Sequence, residues 1–155
     1  LRLSKNYSLE IFHQTSFKNF NNLKNFYLKN NIKSELFDFS DNVLRFMSKS
    51  NICISRAGAS TLAELVFLNI AHIAVPLPSA KDNHQLENAL FYVNKGCNWI
   101  FSQNETIKTN LTDMLINIIE NKEEYLEKKK NMKIFNFQNT WNNINQKIIT
   151  SINEN

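Results

Sequence analysis

Apolar positions along the chain switch repeatedly between a short-strand rhythm and a helical one. Leu9-Glu10-Ile11-Phe12-His13 predicts a short strand, and from about Phe17 to Asn30 the residues Phe17, Phe20, Leu23, Phe26 and Tyr27 keep 3.6 spacing. The unit then repeats. Glu35-Leu36-Phe37-Asp38-Phe39 alternates as a strand, and Val43, Leu44, Phe46 and Met47 predict a brief helix. Ile52-Cys53-Ile54 leads into a helix from Thr61 to Leu68, where Leu62, Leu65, Val66 and Phe67 recur at helical spacing. Ala71 to Val75 is a fourth strand ended by Pro76 and Pro78, a helix from about Gln85 to Asn94 follows, and Cys97 to Phe101 is a fifth strand. Helices are expected over Ile107 to Ile119, Glu123 to Met132 and about Trp141 to Ile152. Strands alternating with helices imply a parallel sheet with right-handed crossovers and helices on both faces, a doubly wound α/β domain with a helical C-terminal segment.

Such a sheet binds ligands beyond the carboxyl ends of its strands. The segments expected there are polar and irregular: His13 to Ser16, Ser40 to Asn42, Arg56 to Ser60, and the ten-residue loop Pro76 to Gln85. That last loop is long enough to suggest binding rather than mere connection. The run Ser55-Arg56-Ala57-Gly58-Ala59-Ser60-Thr61-Leu62-Ala63-Glu64 holds one of only two glycines and sits where strand should become helix. Helix starts carry unpaired N–H groups and the positive end of the dipole, so this corner suits a phosphate, with Arg56 adding a fork of donors. A second reading stays open. Thr61 and Glu64 also match a Thr-x-x-Glu capping box, which satisfies helix donors without binding anything.

The length of 155 residues allows one domain with a sizeable core, and 43% hydrophobic with 21% charged residues is an ordinary globular balance. Cys53 and Cys97 each lie within an apolar run, which predicts buried free thiols, no disulfide, no metal site, and a reducing cytoplasmic setting. Much of the net charge of +4 comes from Lys122 to Lys133, where Glu123, Glu124 and Glu127 interleave as on a solvated helix face. No basic stripe with interleaved aromatics points to nucleic acid. No run of about 18 apolar residues could span a membrane, and no signal peptide is visible. His13 and His72 are expected to be structural. The chain opens on Leu1, which suggests a piece of a longer protein.

The run at 55 to 64, followed by a strand, prolines and Lys-Asp-Asn-His-Gln-Leu-Glu-Asn-Ala at 81 to 89, resembles the C-terminal domain of the MurG glycosyltransferases. His-Gln-Thr at 13 to 15 and Phe-Ser-Asp-Asn-Val at 39 to 43 extend the resemblance over residues 8 to about 102. It implies one Rossmann-like half of a GT-B enzyme, the half that holds the donor, with residues 1–155 as the UDP-sugar-binding domain. The family transfers N-acetylglucosamine from UDP-N-acetylglucosamine to undecaprenyl-pyrophosphoryl-muramoyl-pentapeptide, inverting the anomeric centre without bound metal or cofactor, peripherally on the cytoplasmic face of the bacterial inner membrane.

By the same resemblance Phe39, Ser40 and Val43 match a uracil pocket, and Glu64 matches the acid on the ribose hydroxyls. Ala59, Ser60 and Thr61 match the helix start under the diphosphate, with Arg56 beside it. Gln85 matches a sugar contact with His84 next to it. Thr15 matches a position near the diphosphate, although Ser16 stands where the family often has glycine. The family's glycine-rich loop and its whole acceptor domain, with the presumed general base and membrane-docking patch, are absent from these residues. No catalytic residue is therefore expected in this chain. Two alternatives share the scaffold: the catalytic subunit of a two-part transferase of the dolichol-chitobiose type, and a non-catalytic sugar-nucleotide-binding module.

Overall fold

The computed structural model describes residues 2–103, 111–138 and 140–153. A short α1 (Arg2–Asn6) is followed by β1 (Glu10–Gln14), α2 (Phe20–Lys29), β2 (Lys33–Phe37), α3 (Val43–Lys49), β3 (Ile52–Arg56) and α4 (Ala59–Phe67). Then come β4 (Ala71–Val75), α5 (His84–Val93), β5 (Trp99–Ile100), α6 (Leu111–Glu120), α7 (Lys122–Gln138) and α8 (Trp141–Asn153). Every strand pair is parallel, and helices cover the strands as the βα rhythm predicts. Among the described residues the five strands form two sheets instead of one: β1 pairs with β2, and β3, β4 and β5 pair in that order.

β4 is the centre of the larger sheet. All five of its residues are buried, which suits an unbroken Ala-His-Ile-Ala-Val run covered on both faces. One face places Ala71, Ile73, Val75 and Trp99 against Ile118 of α6, with Leu115 and Tyr125 alongside. The other packs Ala74 with Ala57, Leu62 of α4 and Ala89 of α5. A third cluster joins Val66, Cys97 and Met132 of α7. α7 also closes two helix ends: Asn136 donates to the Val66 carbonyl at 2.8 Å and Asn131 to the Gly96 carbonyl at 3.3 Å. Val66 lies in the last turn of α4, where its carbonyl also accepts the Asn69 N–H at 3.0 Å, and Gly96 lies three residues beyond α5.

Several boundaries move for physical reasons. β2 runs from Lys33 to Phe37, and the Thr15 N–H to Phe37 carbonyl bond of 2.8 Å closes its ladder; Phe39, expected in this strand, lies beyond it and is 81% exposed. β5 shrinks to two residues because Cys97 is still tied to the end of α5, its N–H reaching the Tyr92 carbonyl at 2.9 Å. α7 runs six residues past the expected Met132. The start expected for α6, at Ile107 to Asn110, lies outside the described residues. Both cysteines are free; Cys97 is buried, whereas Cys53 is only partly so. The lysine-rich face is less solvated than expected, since Lys128 sits over the Trp99 ring at 5.3 Å and Lys129 over Tyr125 at 5.7 Å.

Candidate functional site

β3 runs straight into α4 through Ala57 and Gly58. Gly58 occupies the N-cap position with extended backbone, so α4 begins at Ala59, two residues earlier than the apolar spacing suggests. The first bond of the helix is Leu62 N–H to Gly58 carbonyl at 3.0 Å. The N–H groups of Ala59, Ser60 and Thr61 therefore precede the helical ladder and face outward at the positive end of the dipole. This geometry corrects the capping-box reading. Thr61 is the third helical residue rather than the cap, and no side-chain bond caps this helix. Asn88 of α5 fixes the corner by donating to the Ala57 carbonyl at 3.1 Å.

A cleft of about 480 Å3 opens beside this corner, between β1 and β3. Its floor is apolar, from Phe12, Phe37, Phe46, Met47 and Ile54. Its polar lining comes chiefly from Gln14, Arg56, Thr61, Glu64 and Gln85. Five of the residues singled out from the sequence thus border one space: Val43, Arg56, Thr61, Glu64 and Gln85. The other six do not line it. Ala59 and Ser60 form the exposed first turn of α4. Thr15 follows β1 and its hydroxyl accepts from Asn19 at 3.3 Å. Ser40 turns the chain into α3, its hydroxyl accepting the Asn42 N–H at 3.1 Å, beside the exposed Phe39. His84 opens α5 with its Nδ1 2.7 Å from the Lys81 carbonyl, pointing that nitrogen back into its own turn.

Hydrogen bonds set how the lining side chains stand. Gln85 accepts the Leu77 N–H at 3.0 Å and so ties α5 to the end of β4. Arg56 reaches sideways over the sheet, with Nη1 2.6 Å from Gln103 Oε1 and 3.4 Å from the Val75 carbonyl. Burial pushes the Cys53 thiol up to about 11, so it stays protonated and unreactive at neutral pH. His13 and His72 lie outside the lining, His13 bonded to the Tyr27 hydroxyl at 2.8 Å and His72 to the Ile70 carbonyl at 2.9 Å. Among the described residues no group of three or more His, Cys, Asp or Glu is placed to hold a metal ion. Gln14, Asn88 and Gln103 were not picked out from the sequence. Asn88 lies within the 81–89 motif and Gln14 within the His-Gln-Thr motif at 13 to 15, whereas Gln103, past the end of β5, carries no pattern that distinguishes it.

Residues 1–144 match the glycosyltransferase family 28 C-terminal domain. The chain belongs to that family. It is 58% identical over its whole length to the UDP-N-acetylglucosamine--N-acetylmuramyl-(pentapeptide) pyrophosphoryl-undecaprenol N-acetylglucosamine transferase of Pelagibacter ubique, of which it covers 44%. It is 36% identical over 79% of its length to the protein of the same name from Rickettsia typhi, covering 32% of that protein. The chain thus spans less than half the length of these family 28 relatives. The crystal structure of Acinetobacter baumannii MurG superimposes with a TM-score of 0.69 at 27% identity, over 84% of this chain and 39% of that one. The Rossmann-like GT-B half follows from these matches.

Proposed function

We propose that this chain is the donor-binding half of an inverting N-acetylglucosaminyltransferase, which moves the sugar from UDP-N-acetylglucosamine to undecaprenyl-pyrophosphoryl-muramoyl-pentapeptide in peptidoglycan synthesis. The observation that carries the reading is the open N-terminus of α4 beside a cleft bordered by Arg56, Glu64 and Gln85 from three different elements. In this reading the diphosphate rests on the N–H groups of Ala59, Ser60 and Thr61, and Arg56 adds charge as UDP departs, which is electrostatic catalysis. Glu64 accepts from both ribose hydroxyls, a task suited to a carboxylate with two oxygens. Gln85 and His84 meet the sugar. Thr15 lies near the diphosphate, and Phe39, Ser40 and Val43 frame the uracil, which backbone groups near Ser40 would read.

Acceptor binding and the general base are assigned to a domain outside these residues. A lipid-linked acceptor fits a peripheral position on the cytoplasmic membrane face; among the described residues no helix is long and apolar enough to cross a membrane. Calorimetric titration with UDP-N-acetylglucosamine tests the reading, run beside Glu64→Ala and Arg56→Ala chains shown to be folded. Each substitution removes a charge-assisted contact worth about 1.5–3 kcal/mol, so affinity should fall roughly one to two decades. Unchanged affinity in both folded variants, or ADP-sugar bound as tightly as UDP-sugar, would overturn the assignment.

A further inference from the structure

Arg56 is the cation that borders the cleft, yet its guanidinium does not hang free in solvent. Nη1 donates to Gln103 Oε1 at 2.6 Å and approaches the Val75 carbonyl at 3.4 Å, so the side chain is drawn across the end of β4 toward the segment after β5. Val75 is also the residue paired with Arg56 in the β3–β4 register. Gln103 in turn stands just past the last rung of the sheet, where Phe101 N–H donates to the Ala74 carbonyl at 2.9 Å. Both contacts use one nitrogen of the fork. The edge formed by Nε and Nη2 takes part in neither, and a guanidinium can meet an anion along such an edge with two parallel bonds.

The choice of side chain at 103 is chemically telling. Arginine is a donor only, so Gln103 must accept, and it does so without a charge of its own. A carboxylate there would hold Arg56 as well but would cancel the charge that an anionic ligand needs. An exposed arginine without a tether would lose rotamer freedom on binding, and a side chain ordered beforehand avoids that cost.

We propose that Gln103 is a positioning residue for Arg56: it holds Nη1 over the end of β4 and thereby presents the Nε–Nη2 edge to the diphosphate of the donor. This rests on the donor-binding reading above. The test compares UDP with uridine, which lacks the phosphates, by NMR titration of the wild-type chain, Gln103→Ala, Gln103→Glu, Arg56→Ala and the Arg56→Ala/Gln103→Ala double variant, each checked for an unchanged melting temperature. Gln103→Ala should weaken UDP by about fivefold and leave uridine unchanged, an effect in the range of couplings between contacting residues. Gln103→Glu should weaken UDP at least as much, because it keeps the tether and cancels the charge. In the Arg56→Ala background the Gln103→Ala change should have no further effect.

A purely structural role for Gln103 predicts otherwise: equal losses for UDP and uridine, or the same loss with Arg56 already gone. Either result overturns the proposal while leaving donor binding intact. A folded wild-type chain that binds UDP no better than uridine overturns the diphosphate site itself, and the positioning role with it.

Discussion

The two sheets of this molecule are built to different standards of enclosure. In the three-stranded half every residue of β4 is buried, and α4, α5, α6 and α7 close both faces. In the two-stranded half β1 has both ends exposed and its three middle residues only partly covered, and among residues 2–50 just Tyr27 and Ile32 are buried. That half relies on ring contacts instead, chiefly Phe46 stacked on Phe37 at 4.2 Å and tilted against Phe12 at 5.6 Å. The contrast locates the rigid part of the candidate site. The corner of α4 rests on the enclosed sheet, while the polar turns after β1 and β2 sit on the more open one. A ligand spanning the cleft would thus meet a fixed helix start on one side and a more adaptable lip on the other.

Core truncation should expose this difference most strongly. Leu62 is fully buried beneath the corner, whereas Leu44 of α3 is 47% exposed. Leu62→Ala should cost about 2–5 kcal/mol in urea unfolding, and Leu44→Ala less than about 1 kcal/mol. Equal costs would mean that the two halves are equally well packed and would remove the contrast. Next in size is the brace that α7 applies to the enclosed half. Gly96 has φ of +67°, and a Cβ there would lie 2.5 Å from Asn131 Nδ2. Gly96→Ala should therefore destabilise by about 1–3 kcal/mol, combining left-handed backbone strain with displacement of the Asn131 side chain. Adding Asn131→Ala should recover the steric part only, so a double variant as unstable as the single one would show that strain alone matters.

The same contrast explains which features could be read from the residues. Strand and helix order was legible because periodicity records burial, and it was clearest at Ala71 to Val75, where both faces are covered. The separation into two sheets was not legible, since each short strand carries apolar residues whether or not a particular edge is paired. Phe39 misled for a related reason: its alternation with Phe37 fits a strand, but no ladder bond extends past Phe37. At the candidate site, the corner at 55 to 64 was visible through its glycine and flanking apolar runs. The start of α4 at Ala59 was not visible in the apolar pattern, because Ala59 and Ser60 add nothing to it. Gln103 was invisible, because its meaning depends on Arg56, 47 residues earlier, folding across β4 to meet it.

The smallest expected effect is a pH dependence that belongs to the enclosed half alone. His72 lies on β4 opposite Cys53 in the register and is fully buried. Its Nδ1 sits 2.9 Å from the Ile70 carbonyl and so carries the proton of the neutral ring, while Nε2 has no hydrogen-bond partner among the described residues. Burial lowers its pKa below the ordinary 6.5, outweighing the backbone bond that acts the other way. Between the folded value and 6.5 the unfolded chain binds the extra proton and the folded chain does not, so stability must fall as pH drops through that window. Above 6.5 the ring is neutral in both states and contributes no slope. The slope from one such group cannot exceed about 1.4 kcal/mol per pH unit. Urea midpoints measured from pH 7.5 down to pH 5, for the wild-type chain and His72→Gln, should therefore diverge in slope only below 6.5. An identical acid slope in the His72→Gln chain would assign the loss of stability to carboxylates and would break the link between enclosure and pH response.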